Sequence, residues 1–262
     1  MKNTIFSGMQ PTGALHLGNY LGALKQWVEL QHQYDSIFCI VDYHALTIPF
    51  APKELPKKIV ELALDYLSVG LDPAKSIIFV QSHVPEHTEL AWIFNTITPL
   101  GELERMTQFK EKSSQHKQNV NAGLFTYPIL QAADILLYKA NLVPVGEDQI
   151  QHVELTRDIA RKFNNTFGKI FPEPKPLLTK SPRVMSLADP SKKMSKSASS
   201  VNNYIGLLDT PDEIRRKIRV AVTDSGKEIT YDEEAKPAIA NLLRIFSAFS
   251  QSAIADIENQ YR

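Results

Sequence analysis

Cysteine is nearly absent: the 262-residue chain has one, Cys39. A disulfide framework and a cysteine-based zinc finger are thereby excluded. No sign of charge predominates, because 29 Lys+Arg face 29 Asp+Glu for a net of +0. With 43% hydrophobic residues, this argues against a basic nucleic-acid coat, an acidic tail or a disordered chain. A polyanionic partner would need a local patch, since the overall field is neutral. No run approaches the roughly eighteen apolar residues of a membrane span. The start, Met1 to Gly8, lacks the apolar stretch of a secretory signal. The expectation is a cytoplasmic protein in a reducing compartment. Two phosphate-binding fingerprints are missing as well. Gly8, Gly13, Gly18 and Gly22 do not form G-x-G-x-x-G, and Asn19 and Tyr20 follow Gly18 where a P-loop requires Lys and Ser/Thr.

What is present alternates. Thr4–Ser7, Ser36–Val41 and Ser76–Gln81 are short, bounded apolar runs of the kind buried on both faces of a parallel sheet. Between them, residues 17–31 carry Leu17, Leu21, Leu24 and Val28 at helical spacing. Residues 53–69 do the same, with Gly70 at the C′ position. This β-α-β-α-β order predicts an α/β fold, a Rossmann-like doubly wound parallel sheet. Ligands of such sheets sit beyond the carboxyl ends of the strands, here 8–19, 42–47 and 82–87. Helices are expected at 86–97, 132–139, 148–163, 211–222, 237–249 and 253–261. A proline-rich loop is expected at 171–176 and a last strand at 183–187. Strand signals stop near residue 200, so residues 1–200 read as the nucleotide-binding domain and 201–262 as a small helical domain.

From residue 180 to 220 there are nine Lys/Arg against four Asp/Glu; from 221 to 262, four against seven. The plain reading of Arg215–Arg219 is a solvated helix face. Cys39 lies mid-strand and reads as core; Trp27 and Trp92 read as packing. His83 and His87 have metal-ligand spacing, but Pro85 lies between them and no third ligand is evident, so no metal site is read. His44 follows the second strand, where it can reach a pocket.

Two segments carry chemistry. Leu15-His16-Leu17-Gly18-Asn19 stands at a helix start, whose free N–H groups suit phosphate. His16 can donate to a phosphate oxygen, and Gly18 lets a flat base approach the backbone. Lys193-Met194-Ser195-Lys196-Ser197 places two lysines three apart among hydroxyls, suited to gripping and releasing a polyphosphate. Each alone is weak; the pair, in this order on this opening, is strong.

The pair resembles the HIGH and KMSKS motifs of class I aminoacyl-tRNA synthetases, with Asn19 in place of the final His of HIGH. Phe6–Gly13, Gly101–Met106, Ala132–Tyr138 and Val145–Gln149 are similar to segments of the tryptophanyl branch, in family order. The tyrosyl branch shares the fold, and Tyr127-x-x-x-Gln131-x-x-Asp134 has the spacing by which tyrosyl enzymes hold their substrate; many bacterial tryptophanyl enzymes have Met where this chain has Gln131. A buried Asp134 suits either an indole N–H or a phenol O–H, so it explains rejection of phenylalanine and not the choice between the other two.

The resemblance implies ATP-dependent activation of L-tryptophan and its transfer to tRNA(Trp), by a cytoplasmic homodimer with no permanent cofactor. Mg2+ would come with ATP. It implies His16, Gln10, Pro11 and Thr12 on the phosphate side, and Gly18 and Asn19 facing the nucleotide. Asp148 would lie at the ribose with Gly146 and Glu147 beside it, and Val184 at the adenine. Lys193 and Lys196 would grip the pyrophosphate within the loop of Met194, Ser195 and Ser197, with Lys112 as a further candidate. Tyr127 and Gln149 would hold the ammonium and Asp134 the indole, in a pocket with Phe6, Gly8, His44 and Gln131. Alternatives are a tyrosyl enzyme, another adenylyl-transfer enzyme, and a non-catalytic relative binding RNA or tryptophan. The helical pattern running to Arg262 without a cap leads to the expectation that the chain lacks its C-terminal end, with helices that help read the anticodon.

Overall fold

Five strands, Thr4–Met9 (β1), Asp35–Ile40 (β2), Ser76–Val80 (β3), Leu142–Val145 (β4) and Lys175–Leu178 (β5), form one parallel sheet in the order β3-β2-β1-β4-β5. The structure, a computed structural model, describes residues 2–115, 120–178, 182–195 and 200–261. Ile5, Phe6, Phe38, Cys39 and Ile40 are all buried, as strands covered on both faces require. The order reverses between β1 and β4, so their carboxyl ends flank the crevice of a doubly wound sheet. Gln10–Thr12 follow β1, Asp42–Ala45 follow β2, Gln81–His83 follow β3 and Gly146–Asp148 follow β4. The expected α/β architecture is present.

The chain divides into two compact units, one of Met1–Thr12 with Trp27–Thr179, the other of Gly13–Gln26 with Lys180–Arg262. This division differs from a single boundary at residue 200. Leu17 and Leu21 share a buried cluster with Val184, Leu187, Met194, Ile205 and Ile245, which ties residues 13–26 and 182–195 to the C-terminal helices. Those helices are Pro211–Arg219, Pro237–Ser250 and Ile254–Gln260.

The fifth strand is a correction. Residues 183–187 make an isolated antiparallel bridge, Met185 to Lys193, and the fifth strand is Lys175–Leu178, which begins in the last two residues of the expected 171–176 loop. Pro176 is tolerated there because β5 is an edge strand, where a missing donor is harmless. The helix expected at 132–139 is instead Ala122–Leu137 and contains Pro128. Asn121 caps it by accepting the Leu124 N–H at 2.9 Å. Trp27 is buried and stacks on Phe38 at 4.8 Å, but Trp92 is 72% exposed. Its helix, Glu86–Ile97, buries His87, Ala91 and Phe94, a stripe that Trp92 lies outside. Among the described residues no single helix is long and apolar enough to cross a membrane.

Gly70 ends helix Leu55–Ser68 at φ 105, a conformation that L side chains rarely adopt. Gly70→Ala is expected to lower stability by about 1 kcal/mol or more in urea unfolding, through backbone strain alone. Its Cβ would meet nothing nearer than Val28 at 3.6 Å, so crowding adds no cost.

Candidate active site

In the first unit, helix Ala122–Leu137 brings Asp134 to the carboxyl ends of β2 and β3. The carboxylate is 1% exposed. Its Oδ1 accepts from Gln81 Nε2 at 2.7 Å and bonds His87 Nδ1 at 2.6 Å; its Oδ2 bonds His44 Nε2 at 2.7 Å. His87 Nε2 in turn meets the Tyr138 hydroxyl at 2.8 Å. Burial opposes ionisation of Asp134, yet the His44 and His87 imidazoles outweigh it and hold the carboxyl below its ordinary range. Oδ1 has two partners and Oδ2 one, so further acceptor capacity lies on Oδ2.

Around this cluster the expected residues fall into different situations. His44 is buried and packs edge-on to the Tyr127 ring at 6.2 Å. The Tyr127 hydroxyl is 2.9 Å from His152 Nε2. Phe6 is buried and stacks on Tyr138 at 5.7 Å, which makes it part of the core beneath the cluster. A Cβ at Gly8 would lie 2.7 Å from Val41 Cγ1, so β1 needs glycine there. Gln131 is half-buried one turn before Asp134 on the same helix. Gln149 donates to Asp148 at 3.0 Å, beside Glu147 on a short 3-10 turn after β4. At Gly146 a Cβ would lie 2.9 Å from Asp148 Oδ1. Gln10 and Thr12 flank the buried Pro11, with the Thr12 N–H donating to the Gln10 carbonyl at 2.9 Å.

The second unit holds the other motifs. His16 starts the helical segment Leu17–Asn19, which continues as a π-helical turn, Tyr20–Leu24. The expected free N–H groups are not there. Leu17 N–H donates to Ile205 O, Gly18 N–H to His16 Nδ1 at 3.1 Å, and the Asn19 and Tyr20 N–H groups to His16 O. The backbone donors of residues 17–20 are consumed by the fold, so a phosphate contact from this turn must come from side chains. Because Nδ1 accepts, the neutral His16 ring carries its proton on Nε2. Asn19 Oδ1 accepts the His16 N–H at 3.0 Å.

Val184 and Met194 are buried in the same cluster as Leu17, and Met194 N–H donates to Val184 O at 3.0 Å. Lys193 is exposed and Ser195 half-buried. Lys196, Ser197 and the side chain of Lys112 lie outside the described residues. Sequence reasoning missed Gln81, Tyr138 and His152, and it weighed His87 only as a metal ligand. The strand-end rule marked residues 82–87, which hold His87 but stop short of Gln81, and it could not say which side chain turns inward. The plain reading of Arg215–Arg219 fails at Lys217, which is 5% exposed and paired with Asp209.

The family described as tRNA synthetases class I (W and Y) matches residues 1–262. The chain is 57% identical over 259 residues to a tryptophan–tRNA ligase of Caldanaerobacter subterraneus subsp. tengcongensis, covering 98% of this chain and 79% of that one. Among solved structures, tryptophanyl-tRNA synthetase of Mycoplasma pneumoniae superposes with a TM-score of 0.87 at 39% identity, covering 99% of this chain and 78% of the other. The Campylobacter jejuni tryptophanyl-tRNA synthetase complexed with ADP and tryptophan gives 0.82 at 38% identity, with 99% and 79% covered. The chain belongs to the class I tRNA synthetases of the tryptophan and tyrosine family.

Proposed function

We propose that the chain activates L-tryptophan with ATP and charges tRNA(Trp). The tryptophan carboxylate oxygen attacks the α-phosphorus, the bond to the β-phosphate oxygen breaks, and pyrophosphate leaves. A hydroxyl of the terminal tRNA adenosine then attacks the acyl carbon, the bond from that carbon to the phosphate oxygen breaks, and AMP leaves with the hydroxyl's proton on its phosphate. The observation that carries this reading is Asp134: a buried carboxylate, held by two histidines and a glutamine, with acceptor capacity left on Oδ2 for one more donor.

The chemistry needs position and charge more than protein acid–base groups. In the first unit, Asp134 accepts the indole N–H while His44 fixes its orientation. Tyr127 and Gln149 hold the ammonium, and Phe6, Gly8 and Gln131 shape the pocket. Gln10, Pro11 and Thr12 face phosphate, and Gly146, Glu147 and Asp148 take the ribose. In the second unit, His16 donates from Nε2 to a phosphate oxygen, Gly18 and Asn19 face the nucleotide, and Val184 takes the adenine. Lys193 and Lys196, with Met194, Ser195 and Ser197, grip the pyrophosphate, with Lys112 assisting; Mg2+ arrives with ATP as part of the substrate. The enzyme works in the cytoplasm as a homodimer.

Gln131 favours a second reading, tyrosine in place of tryptophan, since an amide there suits a phenol hydroxyl. Pyrophosphate exchange into ATP, run with tryptophan, tyrosine and phenylalanine in turn, separates the two. Tryptophan is expected to support exchange. Phenylalanine is expected to fall short by roughly 10⁴-fold, because it leaves the Asp134 acceptor unpaired. Exchange with tyrosine equal to that with tryptophan would overturn the assignment.

A further inference from the structure

Helix Pro211–Arg219 presents Arg215 to solvent with its side chain 69% exposed, but the side chain of Lys217 is only 6% exposed. A lone lysine does not leave water without a partner. Its Nζ donates to Asp209 Oδ2 at 2.5 Å, and the same oxygen accepts the Gly206 N–H at 2.8 Å. Gly206 forms an antiparallel bridge with His16. On either side of that bridge the Leu17 N–H donates to Ile205 O at 2.8 Å and the Leu207 N–H to Leu15 O at 3.0 Å. A second route runs through a ring. Lys217 Nζ sits 4.7 Å over the Tyr204 ring, whose centroid is 6.2 Å from that of His16.

We infer that Lys217 is a positioning residue for His16, acting through Asp209 and Tyr204. The inference rests on the proposed role of His16 in adenylation. Segment 204–207 meets the turn of His16 through these backbone bonds and through the Tyr204 ring, and the Asp209 carboxylate fixes the segment at Gly206. Without the ammonium, Asp209 keeps a single backbone donor and a partly buried, unneutralised charge. The stable response is to turn toward water, which releases Gly206. The fit is close: a Cβ at Gly206 would lie 3.0 Å from Asp209 Oδ1. Tyr204 loses its cation at the same time, so both routes to the imidazole slacken together.

The test compares Lys217→Met, which keeps the length of the stem, with Lys217→Arg, which restores the cation, and Asp209→Asn, which keeps the carboxylate's shape. Two readouts are taken: steady-state tryptophan-dependent pyrophosphate exchange, and the imidazole Cε1–H resonance of His16. A misplacement of about 1 Å costs roughly 100-fold in rate, so Lys217→Met is expected to lower kcat by one to two orders of magnitude. The KM for tryptophan should stay unchanged, because Asp134 and its partners are untouched. The His16 resonance should move in Lys217→Met and in Asp209→Asn while those of His44 and His87 stay, and Lys217→Arg should return it toward wild type. If Lys217→Met does not fold, Asp209→Asn carries the same two expectations. An unmoved His16 resonance with wild-type exchange in the folded variants overturns the inference. So does a loss that Lys217→Arg leaves unrepaired. Absence of tryptophan-dependent exchange in the unmodified protein would overturn the functional reading instead, and the His16 resonance would still decide the tie.

Discussion

Replacing Asp134 with Asn is expected to weaken both the fold and the hold on tryptophan. The side chain is nearly isosteric, so the effects come from chemistry. Three donors converge on the carboxylate, and an amide offers one oxygen and one NH2 group. Turning the NH2 toward Gln81 and His87 would set donor against two donors. The amide therefore settles with its oxygen on that side and its NH2 toward His44. His44 must then accept, which it can do only as a neutral ring with its proton moved to Nδ1. The loss of a charged, buried acceptor is expected to cost about 3 kcal/mol in urea unfolding. The indole N–H would meet an N–H where Oδ2 had been, so tryptophan is expected to bind roughly 10- to 100-fold more weakly. Fluorescence titration with tryptophan and an unfolding curve on the same preparation check both. Wild-type affinity with a lowered melting point would make Asp134 a purely structural carboxylate.

The same substitution predicts a change with pH. The folded carboxyl of Asp134 titrates below its ordinary value, while in the unfolded chain it titrates near about 3.9. The unfolded state therefore binds more protons in the window from about pH 4 downward. Stability from this group is fully present above that point and is lost as pH falls through the folded value. The wild-type protein should lose stability in this window more steeply than Asp134→Asn. Parallel curves would mean that the group does not shift on folding.

The sequence revealed the sheet better than it revealed the site. β1, β2 and β3 are continuous apolar runs bounded by turns, and such runs have few alternatives. β4 and β5 contain Pro144 and Pro176, which argue against strands unless the missing donor faces no partner. That condition is met: β4 pairs with β1 only at Leu142, and β5 is an edge. Neither fact is visible from one sequence. The motifs at His16 and Lys193 were legible because their spacing is local. The partners of Asp134 were not, because Gln81 and His87 lie 53 and 47 residues away in sequence. Lys217 is the sharpest case. Its neighbours on the helix are charged, so the local pattern reads as a wet face. Only Asp209 and the Tyr204 ring make it an interior residue.

Gly18→Ala should separate activity from stability. The added Cβ would stand 2.9 Å from Cε1 and 3.0 Å from Nδ1 of the His16 ring. Both atoms belong to one side chain, so the ring rather than the backbone must move. In moving it gives up the bond that fixes its tautomer, the Gly18 N–H to Nδ1 at 3.1 Å. The proton is then no longer held on Nε2, and the donor proposed to face phosphate loses its direction. Such a misplacement is expected to lower the rate of tryptophan-dependent pyrophosphate exchange by about 100-fold. Stability should change little, since the gain of about 1 kcal/mol for alanine over glycine in a helical segment offsets the roughly 1 kcal/mol lost with the cap bond. Gly22 provides the control. It lies one turn further along, and nothing stands within 4 Å of the Cβ it would carry. Gly22→Ala is expected to raise the melting point slightly and leave exchange unchanged, because the same gain in helix propensity arises there without disturbing the imidazole. Exchange lowered equally in both variants would show that this segment needs flexibility rather than a placed histidine. Full activity in Gly18→Ala would remove His16 from the adenylation machinery.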